Sequence, residues 1–331
     1  MADYKGIQGY TVQSLASDPT PTANYIGQLW YNSGSNVWKV ATQADGAWSS
    51  GANINTGRYS AVGAGAGVPS SIIFAGAIPA KALTETYNGT SWTEVADLHV
   101  ARYSSAGNGT ETAALSYAGN IQPGASAVTE KWNGTSWTAV NPLNTARLSP
   151  HGAGTTTAAL CIGGHTGPPK LAIVEDYDGT SWTEVADMNT GKDACATAAQ
   201  GTPSAALAFT GRDPGSGASD ICETFNGTSW TEVADCNTGR NTAGGSGIQT
   251  LALCFGGDAP SLSPGNTVNT EKWNGTSWTE TSNLAIGGYE IAGSGTQGSA
   301  MCTAGAPAPT RANVSEEWVD PVYSIETVTT S

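Results

Sequence analysis

An all-β fold built from repeated units is predicted by three observations on this 331-residue chain. A five-residue phrase recurs: Asn-Gly-Thr-Ser-Trp at 88–92, 133–137, 226–230 and 274–278, and Asp-Gly-Thr-Ser-Trp at 178–182. Its tryptophans, Trp92, Trp137, Trp182, Trp230 and Trp278, step by 45, 45, 48 and 48 residues, a period that belongs to repeat architectures. Glycine is abundant at 43 residues while charged residues make up only 12%, which suits short strands joined by tight turns. No window sustains an apolar period of 3.6 residues, so almost no helix is expected.

Residues 1–44 stand outside the repeat. Asp18-Pro19-Thr20-Pro21-Thr22 reads as a turn or extended linker. Two alternating runs, Leu29–Tyr31 and Val37–Val40, flank Asn32-Ser-Gly-Ser-Asn36 and predict a hairpin. A lone hairpin is marginal in water. It is therefore expected to dock on something else, through Leu29, Trp30, Tyr31 and Trp38.

From Asp45 the repeat begins in mid-unit, around Trp48. Each later copy opens a small-residue first strand with a basic residue: Arg58, Arg102, Arg147, Lys192 and Arg240, with Gly288 in the sixth place. An apolar second strand follows, at 71–76, 113–118, 158–163, 205–210, 251–256 and 300–304. After a variable loop, the third strand ends in Glu-x-aromatic: Glu85/Tyr87, Glu130/Trp132, Glu175/Tyr177, Glu223/Phe225, Glu271/Trp273 and Glu316/Trp318. The fourth strand carries the repeat tryptophan. Four strands per copy, six times over, predict a six-bladed β-propeller of four-stranded antiparallel blades. The sixth copy stops at Trp318 without a tryptophan strand of its own. Residues 47–52 are expected to complete it from the N-terminal side, which joins the ends of the array and leaves no open edge. The expected domains are 1–44, an attachment segment; 45–320, the propeller; and 321–331, a tail that either pairs with a neighbour or stays unstructured.

The copies resemble the kelch repeat over roughly residues 45–318. The resemblance rests on the basic residue of the first strand, the glycine pair closing the second (Gly163-Gly164, Gly256-Gly257), the acidic-x-aromatic of the third and the tryptophan of the fourth. The pair departs from that pattern at Ala75-Gly76, Ala118-Gly119, Thr210-Gly211 and Ala304-Gly305.

A formal net charge of −14 argues against a nucleic-acid partner, because no basic face is available to neutralise phosphates. No run of 18 apolar residues predicts a membrane span, and Met1-Ala-Asp-Tyr-Lys lacks the apolar core of a secretory signal. The six cysteines are Cys161, Cys195, Cys222, Cys236, Cys254 and Cys302, of which Cys161, Cys254 and Cys302 share one register in the second strand and read as small buried residues. No CxxC pair or Cys/His spacing suggests a metal, and the six are expected as free thiols. His99, His151 and His165 fall in different registers, so neither a catalytic triad nor a metal site is expected, and no cofactor.

The recurrent Asn-Gly suggests a two-residue type I′ turn, with both residues at positive φ. Asn88, Asn133, Asn226 and Asn274 also fit a glycosylation sequon. Asp178 favours the turn, since Asp-Gly makes the same turn without accepting a glycan. The repeated basic residues could ring a central channel, but six glutamates at a matching period favour buried pairs between strands or blades.

Recognition is expected in the loops between second and third strands, where the copies differ most. All six carry proline, which stiffens them. The candidate ligand-binding residues are Lys81, Gln122, His165, Lys170, Arg212, Asp258 and Arg311.

The uniformity of the copies resembles kelch-like virion proteins of bacteriophages, and Ile26-Gly-Gln-Leu-Trp-Tyr-Asn-Ser33 resembles a phrase near the start of phage tail and fibre proteins. The resemblance implies a non-enzymatic structural protein of the virion. Its N-terminal segment would attach to other virion proteins in an oligomeric particle, and its propeller would face a host-surface glycan or protein. A cellular kelch-type adaptor that binds a partner protein through the same loops is the alternative.

Overall fold

A computed structural model describes residues 12–77, 79–215, 217–262, 265–307 and 310–328. The expected attachment segment and tail therefore extend beyond the described residues at 1–11 and 329–331. Among these residues the chain is all-β apart from one 3-10 turn, Ala23–Tyr25. Its strands form seven four-stranded sheets, an architecture consistent with a β-propeller. It divides into two compact units, residues 47–319 and residues 1–46 with 320–331.

The larger unit holds six antiparallel sheets, one per copy. In the first, Val62–Gly67, Ser70–Phe74, Thr84–Tyr87 and Trp92–Val95 pair in chain order. The sixth is composed of Ala292–Gly295, Ser299–Thr303 and Ser315–Val319, with Ala47–Ser50 as its fourth strand. Trp48 stands opposite Trp318 there, as Trp92 stands opposite Tyr87 and Trp137 opposite Trp132. These cross-strand aromatic pairs hold their ring centroids 4.9 to 5.5 Å apart throughout, the spacing at which such pairs attract beyond simple burial.

The core lies between sheets. Ile72, Phe74 and Leu98 of the first copy cluster with Ala114, Trp132 and Trp137 of the second, and the same arrangement recurs from each copy to the next. A further cluster joins Met301 and Ala304 of the sixth to Ile73, Tyr87 and Trp92 of the first. Repeat tryptophans reinforce these seams, as Trp137 Nε1 donates to Thr84 Oγ1 of the preceding sheet (3.0 Å). All six cysteines are buried and free.

The glycine-pair departures have a backbone cause. The first position sits at φ 58 to 62° in every copy, a left-handed conformation that non-glycine residues still occupy at Ala75, Ala118, Thr210 and Ala304, with the β-branched Thr210 the most strained. The second sits at φ 91 to 118°, where a Cβ is strained. Glycine is present there in all six copies.

The recurrent turn is not the expected type I′. Four residues, 88–91, separate the paired Tyr87 and Trp92, and Gly89 but not Asn88 has positive φ. Asn88 instead accepts the N–H groups of Thr90 (3.0 Å) and Ser91 (2.9 Å) on its side-chain oxygen. Asp178 does the same for Thr180 and Ser181, at 2.8 Å each. The position requires a short side chain ending in an acceptor, which both residues supply.

The smaller unit is one sheet in the order Gln13–Leu15, Leu29–Asn32, Val37–Ala44, Val322–Thr327. The hairpin forms where expected, and Gln13–Leu15 lies parallel to it. The segment after the repeats runs antiparallel along the hairpin's second strand, with Val322 opposite Ala44 and Thr327 opposite Lys39.

Candidate functional site

Among the described residues of the larger unit, ion pairs with a buried carboxylate fall into two arrangements. The first repeats. The basic residue that opens each first strand is fully buried and meets the third-strand glutamate: Arg58 Nη1 lies 2.8 Å from Glu85 Oε1 and Lys192 Nζ 3.7 Å from Glu223 Oε1. Arg102, Arg147 and Arg240 contact Glu130, Glu175 and Glu271 in the same way. The second oxygen of each glutamate accepts a backbone N–H from the segment crossing between sheets, at Asn55, His99, Asn144, Asn189 and Asn237. Each pair thus latches a crossing segment to the sheet it enters.

Arg311, expected among the ligand-binding candidates, belongs to this set instead. It is fully buried, and its Nη1 reaches Glu316 Oε1 and donates to Ile286 O, both at 2.7 Å. Its guanidinium fills the place left by Gly288, where an added Cβ would lie 2.1 Å from Arg311 Cδ. The sixth copy has its latch, supplied from the loop instead of the first strand.

The first strands of all six sheets line a small cavity with room for about 60 Å³. At one mouth stand Ser60, Ser104, Ser149, Ala194, Thr242 and Glu290, each left-handed at φ 49 to 52°. Each donates its N–H to the carbonyl of its counterpart one copy earlier: Ser104 to Ser60 (3.1 Å), Ser149 to Ser104 (2.9 Å), Ala194 to Ser149 (3.0 Å), Thr242 to Ala194 (2.9 Å) and Glu290 to Thr242 (3.0 Å). Ser60 donates to Glu290 (3.0 Å), so the series returns to its start. Left-handed non-glycine residues persist only where surroundings enforce them, and this hydrogen-bonded series supplies the enforcement. Gln200 joins the first and fifth copies, donating from Nε2 to Gly65 O (2.7 Å) and from its N–H to Gly247 O (2.9 Å).

The second arrangement does not repeat. The residue preceding each left-handed position bridges to the first residue of the variable loop: Tyr59 to Ala77, Tyr103 to Asn120, Leu148 to His165, Asp193 to Arg212, Asn241 to Asp258 and Tyr289 to Ala306. Only the fourth copy has a carboxylate there. Asp193 is fully buried and accepts from Arg212 Nε (3.1 Å) and Nη2 (2.9 Å) and from Lys170 Nζ (2.8 Å), with His165 Nε2 lying 3.4 Å away. Burial holds the His165 pKa below its ordinary value against the pull of Asp193. His151 lines both the cavity and its mouth, and burial pushes its pKa down to about 4.

His165, Lys170 and Arg212 are therefore brought together, by a carboxylate that the sequence reading did not single out. Its signal was available: Asp193 follows Lys192 in register with tyrosine, leucine and asparagine. The other candidates stay apart. Lys81 is half-buried and its backbone pairs with Arg102. Gln122 is exposed, and Asp258 bridges Asn241 and Asn266.

In the smaller unit, Trp30 is buried and its Nε1 donates to Asp18 Oδ1 (3.1 Å), so it holds the sheet together and is not free to meet a partner. Trp38 is 43% exposed, with the Tyr31 ring edge-on to it at 5.5 Å. Leu29 is half-buried.

Among the described residues no group of three or more His, Cys, Asp or Glu could hold a metal ion, and no helix is long and apolar enough to cross a membrane. No family model and no curated protein matches the chain.

Proposed function

We propose that this chain is a non-enzymatic, kelch-like virion protein of the phage tail or fibre type. Its six repeated sheets are the blades of a closed propeller that faces a host-surface ligand, and its smaller unit attaches to other virion proteins. Closure is supported by the core cluster joining the sixth copy to the first and by the hydrogen-bond series that returns to Ser60. The observation that carries the attachment reading is the sheet made by both chain ends. Strands on either side of the propeller segment pair with each other, Val322–Thr327 along Val37–Ala44. The repeats are thus one continuous insertion in a base that presents the exposed Trp38. Recognition falls to the variable loops at the cavity mouth.

The test is incorporation. Antibody against the chain labels purified particles, and Trp38→Asp, folded by circular dichroism, is left out of them. Unlabelled particles, or wild-type incorporation of the variant, contradict the reading.

A further inference from the structure

The six-copy register makes departures from it easy to locate, and charged departures gather between the third and fourth copies. Six cations are held in the latches and fully buried. Lys170 and Arg212 come from adjacent loops and keep 20% and 38% of their side chains exposed. Both meet on Asp193, so two permanent cations share one buried carboxylate. A guanidinium has five N–H donors and an ammonium three. Asp193 accepts two from Arg212 and one from Lys170. The carboxylate also fixes both long side chains, so less ordering is required when a further acceptor arrives. At the same register position, other copies present the half-buried rings of Tyr59, Tyr103 and Tyr289. Those rings belong to the first, second and sixth copies, so recognition of an acidic group falls to the two cations between the third and fourth.

We propose that Lys170 and Arg212, oriented by Asp193 with His165 beside them, bind an oxyanion carried by a glycan, either the carboxylate of a uronic acid or a sulfate ester. The proposal rests on the reading that this mouth is the ligand-facing surface.

Calorimetric titration of the full chain with glucuronate, galactose 6-sulfate and galactose tests it. At least one anionic sugar binds tenfold or more tightly than galactose, and raising the salt weakens that binding. Tighter glucuronate assigns the carboxylate, and tighter galactose 6-sulfate the sulfate ester. Lys170→Gln weakens the anionic sugar about tenfold, as expected for loss of one charge-assisted hydrogen bond, whereas Lys81→Gln does not. Arg212→Gln leaves Asp193 with fewer partners and risks misfolding, so the companion Asp193→Asn/Arg212→Gln variant is measured as well and binds as weakly as Lys170→Gln. Equal affinity for galactose and both anionic sugars, no binding of any of the three, or wild-type affinity in Lys170→Gln overturns the proposal. Labelled particles with no sugar binding remove the subsite and leave the virion reading standing. Sugar binding with unlabelled particles does the reverse.

Discussion

The latches and the Asp193 cluster are both built from carboxylates and cations, yet they differ in repetition and in exposure. Every latch is buried on both sides and recurs once per copy, Arg311–Glu316 included. At Asp193 only the carboxylate is buried, and the cations around it reach towards solvent. A buried pair surrounded by backbone donors has no remaining capacity for a ligand, so it acts as scaffold. A buried carboxylate under partly exposed cations positions charge that solvent or a ligand can reach. Repetition in this chain therefore marks buried structure, and loss of repetition marks charge that reaches the surface.

The largest expected effect breaks a latch. Glu175→Gln leaves the Arg147 guanidinium buried without its counter-charge, and the predicted loss is about 3–5 kcal/mol, read by urea unfolding. A loss near that of an exposed ion pair would remove the distinction between the two arrangements. The sixth latch supplies a sharper variant. Arg311→Gln lowers stability by a similar amount, and Gly288→Arg alone also destabilises because the new side chain meets Arg311. Combining them restores the register of the other five copies, so the double variant is more stable than either single one by denaturant melts.

A smaller effect depends on pH. His151 carries a folded pKa of about 4 against about 6.5 in an unfolded chain. The unfolded state therefore binds more protons between those values, and stability held above pH 6.5 is lost as pH falls towards 4, by on the order of 2 kcal/mol. Alanine occupies the equivalent position at Ala106, Ala196 and Ala292. His151→Ala flattens this acid limb relative to wild type in melts from pH 7 to pH 4.5, and identical limbs would contradict the assignment. The smallest effect is at the recurrent turn. Asn133→Asp leaves the melting midpoint unchanged, because Asp178 already fills that role in another copy.

Much of this fold was legible in the sequence, for a physical reason: each copy must make the same pairings, so the same residues recur at a fixed period. The strand pairing of Trp48 with Trp318 follows from counting one tryptophan strand too few at the end of the array. Five latches were visible in register, but the sixth was hidden, because Arg311 enters from a loop five residues before its glutamate. The Asn-Gly pair signals a backbone conformation, whereas the side-chain acceptor of Asn88 holds the turn. The pairing of Val322–Thr327 with the hairpin left no local signal, since it joins segments nearly the whole chain apart. At the site, the loops named His165, Lys170 and Arg212 individually. Their convergence was not legible, because it depends on Asp193, a first-strand residue outside the loops.

The central claim is that latch charge holds the fold while charge at Asp193 meets the ligand. Thermal melting with and without an anionic sugar reads both properties in one experiment, since a ligand that binds only the folded state raises its midpoint. The account predicts that Glu175→Gln melts well below wild type but keeps the ligand-induced rise, whereas Lys170→Gln melts near wild type and loses it. A Lys170→Gln chain that melts as low as the latch variant and still responds fully to the sugar would contradict it.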